Sequence, residues 1–321
     1  MKRHSLLLAV TAVTLAVAGA AYAGVSTLAK PSVSKRSVAV LFPGLVDDHS
    51  WNQAGRAGLV KAKVLGAKTA YIENVSQDKQ LEAFQNFARQ GFQIVIGHGG
   101  EFMDSALRAA KSFPKTKFVV INGNKAGGNV SSVSLNYGDM GYISGALGAA
   151  MSKTGKLGIV AGEHIPIVDN GIKGMKDGAA RVNKKVQVKS TILQSWTDVA
   201  KAREASLALI NSGADVLWPF LDAAETGVIS AAEDSKTVKS MAVYHDIRKL
   251  APKSYIGGAL GDPAIALFRA ASNPALLDGK VHPLGAKEGV VLLAPFGKGV
   301  PAKARAAATA AYRALKNGTH Y

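Results

Sequence analysis

The sequence predicts an α/β protein of two doubly wound parallel-sheet lobes joined by a multi-crossing hinge, and three observations predict it. Short continuous apolar runs alternate with stretches whose apolar residues lie three and four apart; this alternation runs through twice; and polar and aromatic residues collect just beyond the apolar runs. Continuous runs of this length read as strands buried on both faces, which belong in parallel sheets covered by helices.

The first series opens with a strand at 38–42 (VAVLF), the turn PGLVDDHS and a helix at 52–65. Strand 69–73, helix 78–89, strand 93–96, helix 102–112 and strand 117–121 continue it, and a short run at 130–135 closes it. The second series has helix 141–151, strand 157–161, helix 168–182, strand 186–193, helix 198–211, strand 215–220, helix 223–232 and strand 240–244. What remains, strand 254–258, helix 262–271, an apolar run at 290–294 and helix 301–316, is too small to stand alone and must complete the other two. Crossings are therefore expected near Leu135, Tyr244 and Asp278, giving a first lobe of 36–135 plus 247–278 and a second of 136–246 plus 279–321. Such a hinged pair offers a ligand cleft between facing strand ends.

Residues 1–23 carry Lys2, Arg3 and His4, then an apolar stretch of Leu, Ala and Val, and end Ala21-Tyr22-Ala23, the pattern of a secretory signal cleaved after Ala23. The apolar run is short for a membrane anchor. The expected location is the periplasm. The 321 residues include no Cys, so neither a lipid-modified Cys nor a disulfide is available. Without Lys2 and Arg3 the chain holds 37 basic against 22 acidic residues, a charge of +15. The basic residues are scattered singly, with no aromatic-interleaved stripe or arginine-rich arm, so a solvated surface is expected and no nucleic-acid partner, while attraction of an anionic ligand or a membrane partner stays open.

Catalytic patterns fail: there is no G-x-S-x-G, no H-E-x-x-H, no P-loop and no Cys nucleophile. Gly97-His98-Gly99-Gly100 follows a strand but lacks the dinucleotide fingerprint, and a tight turn explains it equally well. No His, Asp or Glu pair has helix-face metal spacing. The expectation is a binding protein, not an enzyme, with no cofactor and no metal.

The informative residues fall at strand ends. After 38–42 come Asp47, Asp48, His49, Trp51 and Asn52; further on come His98, Asn122, Glu163 and His164, Trp196, Trp218 with Phe220 and Asp222, and His245 with Asp246. Aromatic planes among carboxylates, amides and imidazoles suit a flat heteroaromatic ligand carrying hydroxyls. Singly, each has a plain structural role open to it: Asp47 or Asp48 caps the first helix, Asp222 the helix after it, and Trp51 packs that first helix on the sheet.

VDDHSWNQAGRAGL resembles the opening motif of the basic membrane protein family, the nucleoside-binding substrate-binding proteins of ABC transporters. GDMGYISGALGAAMSKTGKLGIVAGEHIPIVDNGIKGMKDGA is similar to that family's middle signature, and GADVLWPFLDAAETGVISAAED to its following strand-loop-helix; the likeness runs from about Val38 to Lys316. The resemblance implies a type I periplasmic binding fold that holds a purine nucleoside between aromatic rings. It sets Trp51 as the first stacking aromatic with Asp48 and Asn52 in its turn, Trp218 or Phe220 as the opposing ring, Asn122 where an Asp is usual, and Asp246 near another family acid. Phe42 and Pro43 replace a Thr-Asp pair, and Leu260 or Gly261 stands where a ligand-contacting Lys is common, so a free purine base is credible as well. The resulting expectation is a monomeric binding component of an ABC importer with an inner-membrane permease as partner and Asp48, Trp51, Asn52, His98, Asn122, Trp196, Trp218, Phe220, Asp222 and Asp246 at its ligand. A sensing subunit for a membrane receptor and a nucleoside-processing enzyme are the alternatives. A Trp51 that covers a base is expected to matter to binding more than to stability.

Overall fold

A computed structural model describes residues 35–48 and 50–319; the expected signal segment, 1–23, and His49 lie outside the described residues. In chain order the elements are β1 Ser37–Leu41, α1 Trp51–Val64, β2 Lys68–Ile72, α2 Gln80–Arg89, β3 Ile94–His98, α3 Met103–Ser112, β4 Lys117–Ile121, β5 Val130–Leu135, α4 Tyr137–Met151, β6 Lys156–Ala161, α5 Pro166–Val182 and β7 Gln187–Ile192. They continue with α6 Val199–Asn211, β8 Val216–Phe220, α7 Glu225–Asp234, β9 Lys239–Ala242, β10 Tyr255–Gly261, α8 Pro263–Ser272, β11 Val281–Leu284, β12 Val291–Leu293 and α9 Ala302–Lys316.

Two six-stranded sheets result, ordered β11-β5-β4-β3-β1-β2 and β12-β10-β9-β8-β6-β7. Every pairing is parallel except β12 on β10. The inner strands β3 and β8 are buried at every position, whereas the edge strands β2 and β7 are partly exposed and carry Lys68, Gln187 and Lys189. Central strands covered on both faces need continuous apolar runs; an edge does not. The expected two-sheet α/β architecture is the one found.

The last third of the chain is divided differently from expectation. Strand β10, placed by the sequence with the first lobe, pairs with β9 in the second sheet. β11, placed with the second lobe, pairs with β5 in the first. Helix α8 does pack on the first sheet, and β12 and α9 on the second. The crossings therefore lie at Leu135–Tyr137, Gly261–Pro263 and Leu284–Val291, the first as expected and the others displaced from Tyr244 and Asp278. The reason is local: β11 reads VHPL, and a Pro-containing, half-polar tetrapeptide gives no strand signal, yet an edge strand tolerates Pro283 because one side needs no donor.

The three crossings are stitched together. Asn136 N–H donates to Leu284 O at 2.9 Å, Asp262 N–H to Val290 O at 3.0 Å, and Ala286 N–H to the carboxylate of Asp139 at 2.9 Å. Asn136 and Asp262 also cap α4 and α8, accepting from Asp139 N–H and Ile265 N–H.

Behind the hinge, α4 and α5 approach until backbones touch. A Cβ on Gly145 would lie 2.1 Å from Met175 O, one on Gly141 2.1 Å from Gly171 O, and one on Gly174 2.1 Å from Gly138 O. The contacts are with backbone, which cannot swing aside. Gly145→Ala is therefore expected to lose stability, by about 1 to 3 kcal/mol for an overpacked contact, despite alanine's better helix propensity. Urea unfolding at constant m-value measures it, and an unchanged midpoint would refute the close approach.

Candidate functional site

Both sheets have the same order, reversing between β1 and β3 in the first and between β6 and β8 in the second. Ligands of open α/β sheets sit outside the strand carboxyl ends at such reversals. The polar and aromatic residues singled out from the sequence concentrate there.

On the first sheet, Asp48 holds the start of α1. Its carboxylate accepts from Ser50 N–H at 3.0 Å, Asn52 N–H at 2.9 Å, Gln53 N–H at 2.9 Å and Asn52 Nδ2 at 2.9 Å. This is a helix cap, the plain role considered for it. Among the described residues neither Asn52 Oδ1 nor Ser50 Oγ, both buried, has a hydrogen-bond partner. Trp51 wedges between α1 and β3: its Nε1 donates to His98 O at 3.1 Å, and its ring stacks on the His98 imidazole at 4.4 Å and 18°. His98 Nε2 donates back to Trp51 O at 3.0 Å. Burial pushes the His98 imidazole down to about 4, so it is neutral at pH 7; with Nε2 as donor, Nδ1 is an acceptor, buried and unpartnered. Gly55 makes room, since a Cβ there would sit 2.4 Å from His98 Nε2.

On the second sheet, Phe220 ends β8 and is fully buried. It stacks on Tyr137 at 4.9 Å and 23°, lies 4.9 Å from Trp218, and receives the edge of Trp196 at 6.5 Å. Trp196 is half-buried and covers Gly162 after β6, where a Cβ would lie 2.3 Å from its ring. Trp218, two residues back along β8, is fully buried against Gly171 of α5, its Nε1 unpartnered.

The two sheets meet through Tyr244 and Tyr137. Tyr244 lies 5.7 Å from the Trp51 ring at 59°, and its hydroxyl is 3.3 Å from that of Tyr137. Asn122 Nδ2 donates to Tyr137 Oη at 2.8 Å, while its Oδ1 accepts from Leu135 N–H at 3.2 Å; its φ of 59° is the left-handed conformation that Asn tolerates. Burial raises both tyrosines, so both keep their protons.

Carboxyl groups surround these rings. Burial first, then the charges of Asp48 and Glu101 on the opposite sheet, push Asp222 up to about 7. Glu225, the first residue of α7, is 3% exposed; burial and Asp222 push it up to about 8. Its Oε1 lies 3.2 Å from His245 Nε2, and its Oε2 has no partner among the described residues.

The structure thus gathers Trp51, Asn52, His98 and Asn122 with Trp196, Phe220 and Asp222. Asp246 goes elsewhere: it is exposed and folded onto Arg248, whose Nε donates to it at 2.9 Å and holds its carboxyl low. Tyr137, Tyr244, Glu101 and Glu225 belong to the cluster and were missed. Tyr137 follows a helix cap and Glu225 stands three after Asp222 like the acid of a capping box, so each had an ordinary local reading. Among the described residues no three or more His, Asp or Glu side chains group to hold a metal ion, and no helix is long and apolar enough to cross a membrane.

A family model described as ABC transporter substrate-binding protein, PnrA-like, matches residues 35–304. The chain belongs to this family, Bmp. Among the relatives of this Bmp protein, a purine-binding protein of Brucella abortus is 30% identical over 82% of this chain and 76% of its own length. The nucleoside-binding protein BmpA of Lactococcus lactis is 29% identical over 61% of this chain and 58% of its own. A solute-binding protein of Conexibacter woesei superposes with a TM-score of 0.69 at 24% identity, covering 88% of this chain and 97% of that one. A transcriptional activator of the comK gene from Bacillus halodurans gives 0.76 at 24%, covering 89% and 99%. These likenesses place the Bmp chain in the type I periplasmic binding fold, and its family is one of substrate-binding proteins.

Proposed function

We propose that this Bmp protein is the exported binding component of an ABC importer, takes a purine nucleoside or free purine base between its two sheets, and delivers it to an inner-membrane permease. The observation that carries the reading is the meeting of rings and hydrogen-bonding groups at both order reversals: Trp51, Asn52 and His98 on one sheet, Phe220, Asp222 and Tyr244 on the other. The printed names of the Brucella and Lactococcus relatives support the ligand class. The sheets act as lobes about the stitched hinge, and a ligand that touches both shifts the population toward the closed form. Export with cleavage after Ala23 belongs to the same proposal.

A second reading has its own support: a transcriptional activator of Bacillus subtilis is 30% identical over 60% of this chain. Under it the closed form reports the ligand instead of delivering it.

The test is a melting-temperature screen of bases, nucleosides, amino acids and sugars. A purine at about 100 times its Kd should stabilise by roughly 2.7 kcal/mol, a rise of several degrees at about 2 to 4 °C per kcal/mol. A screen in which only amino acids or sugars move the transition overturns the ligand class.

A further inference from the structure

The cleft's charge is opposite to the chain's. A protein with a formal charge of +17 places Asp222 and Glu225 between its sheets, and the charges acting on Asp222 are Asp48 and Glu101, also acidic. Among the described residues the cation-forming side chain paired to Glu225 is His245, which burial holds toward its neutral form, with Asp246 acting the other way. Tyr137 and Tyr244, from α4 and the bend after β9, add hydroxyls and no charge.

Glu225 is the informative member because its two oxygens differ. Oε1 faces His245 Nε2, whereas Oε2 is buried without a partner, an arrangement that costs free energy unless something bonds to it. Ionised, Oε2 is an acceptor; neutral, with the proton between Oε1 and a bare Nε2, it is a carbonyl oxygen and again an acceptor. On the opposite sheet Asn52 Oδ1 and His98 Nδ1 are buried acceptors too, without a partner among the described residues. Acceptors of this kind call for N–H donors. An anionic ligand meets the carboxylates of Asp48 and Glu101 and, as pH rises through about 7 and 8, those of Asp222 and Glu225 as well.

We propose that Glu225, oriented by His245, is a specificity-determining residue whose free carboxyl oxygen bonds an N–H of a neutral or cationic nitrogen heterocycle, and that the carboxyl groups around it exclude phosphorylated forms of that ligand. The proposal rests on the binding-protein reading above and adds to it which edge of the ligand is read and which charge is refused.

Isothermal titration of the full chain tests it with adenine, methylated adenines each lacking one N–H, cytosine, adenosine and adenosine 5′-monophosphate. In the wild type one methylated adenine should bind at least ten-fold more weakly than adenine, and the monophosphate at least 100-fold more weakly than adenosine. Glu225→Leu should erase the first preference. Glu225→Gln, which keeps an acceptor and cannot ionise, should retain it while relaxing the second at pH 9, where the wild-type Glu225 carboxyl is charged. If adenine binds and Glu225→Leu, shown folded by its melting transition, keeps the wild-type preference, the assignment falls and the purine reading stands. If no purine binds but cytosine does, with the same loss in Glu225→Leu, the purine reading falls and the assignment stands. Should the Leu variant not fold, the Gln variant decides: an undiminished refusal of the monophosphate at pH 9 overturns the proposal.

Discussion

Replacing Trp51 by Ala will cost the native state about 3 to 5 kcal/mol, the range for emptying a core Trp site, and will weaken ligand binding by about 5- to 150-fold. The sequence suggested a milder effect on stability, with the ring reserved for the ligand. The structure changes that expectation, because one face of the indole is covered by His98, its N–H is bonded to His98 O, and the side chain is 6% exposed. Removing it leaves a cavity and strands the His98 carbonyl. The remaining ring surface looks toward Tyr244, the side on which the proposed function puts the ligand. Trp51→Phe should recover much of the packing and not the indole hydrogen bond. Denaturant unfolding and ligand titration of both variants measure this; an alanine variant within about 1 kcal/mol of wild type shows that the indole is not a wedge.

The second large effect is on pH. Asp222 and Glu225 have pKa values of about 7 and 8 in the folded chain against ordinary values of 3.8 and 4.5. Between about pH 4 and 8 the native state therefore holds more protons than the unfolded one, and stability falls as pH rises through that window, then levels. His98 works against this: native His98 refuses a proton down to about 4, so its share of the stability is lost as pH falls from 6.5 to 4. Asp222→Asn removes one raised carboxyl and should stabilise the ligand-free protein more at pH 8 than at pH 5. Equal gains at the two pH values would falsify the assignment of Asp222 as the strained acid.

Much of this was legible. Continuous apolar runs fix which strands are central, and the turn VDDHSWNQ marks the first order reversal because a cap, a wedge and an amide must share it. What was hidden depends on contacts distant in sequence. Nothing local to Tyr255–Gly261 says which sheet it will join. Nothing local to Trp218 tells that it is fully buried, or that Gly171 of α5 leaves room for Phe220 and, less closely, for Trp218. Tyr137, Tyr244 and Glu225 become conspicuous only when two sheets bring them together, since each alone reads as a helix start or a strand end.

The exchange of β10 and β11 between the sheets bears on how the chain is made. Arg36 beside β1 donates to Ala271 O, 235 residues later, and Gly279 N–H bonds Ser131 Oγ, 148 residues earlier. A ribosome releases β1 to β5 long before α8 and β11 exist, so the first sheet to emerge is the last to be finished. Until then the outer edge of β5 is an unpaired template and the face awaiting α8 is bare, a nascent state prone to pairing with the wrong chain. Such long-range closure predicts slow folding, and it makes the final sixty or so residues, from α8 onward, a checkpoint on which the first hundred depend.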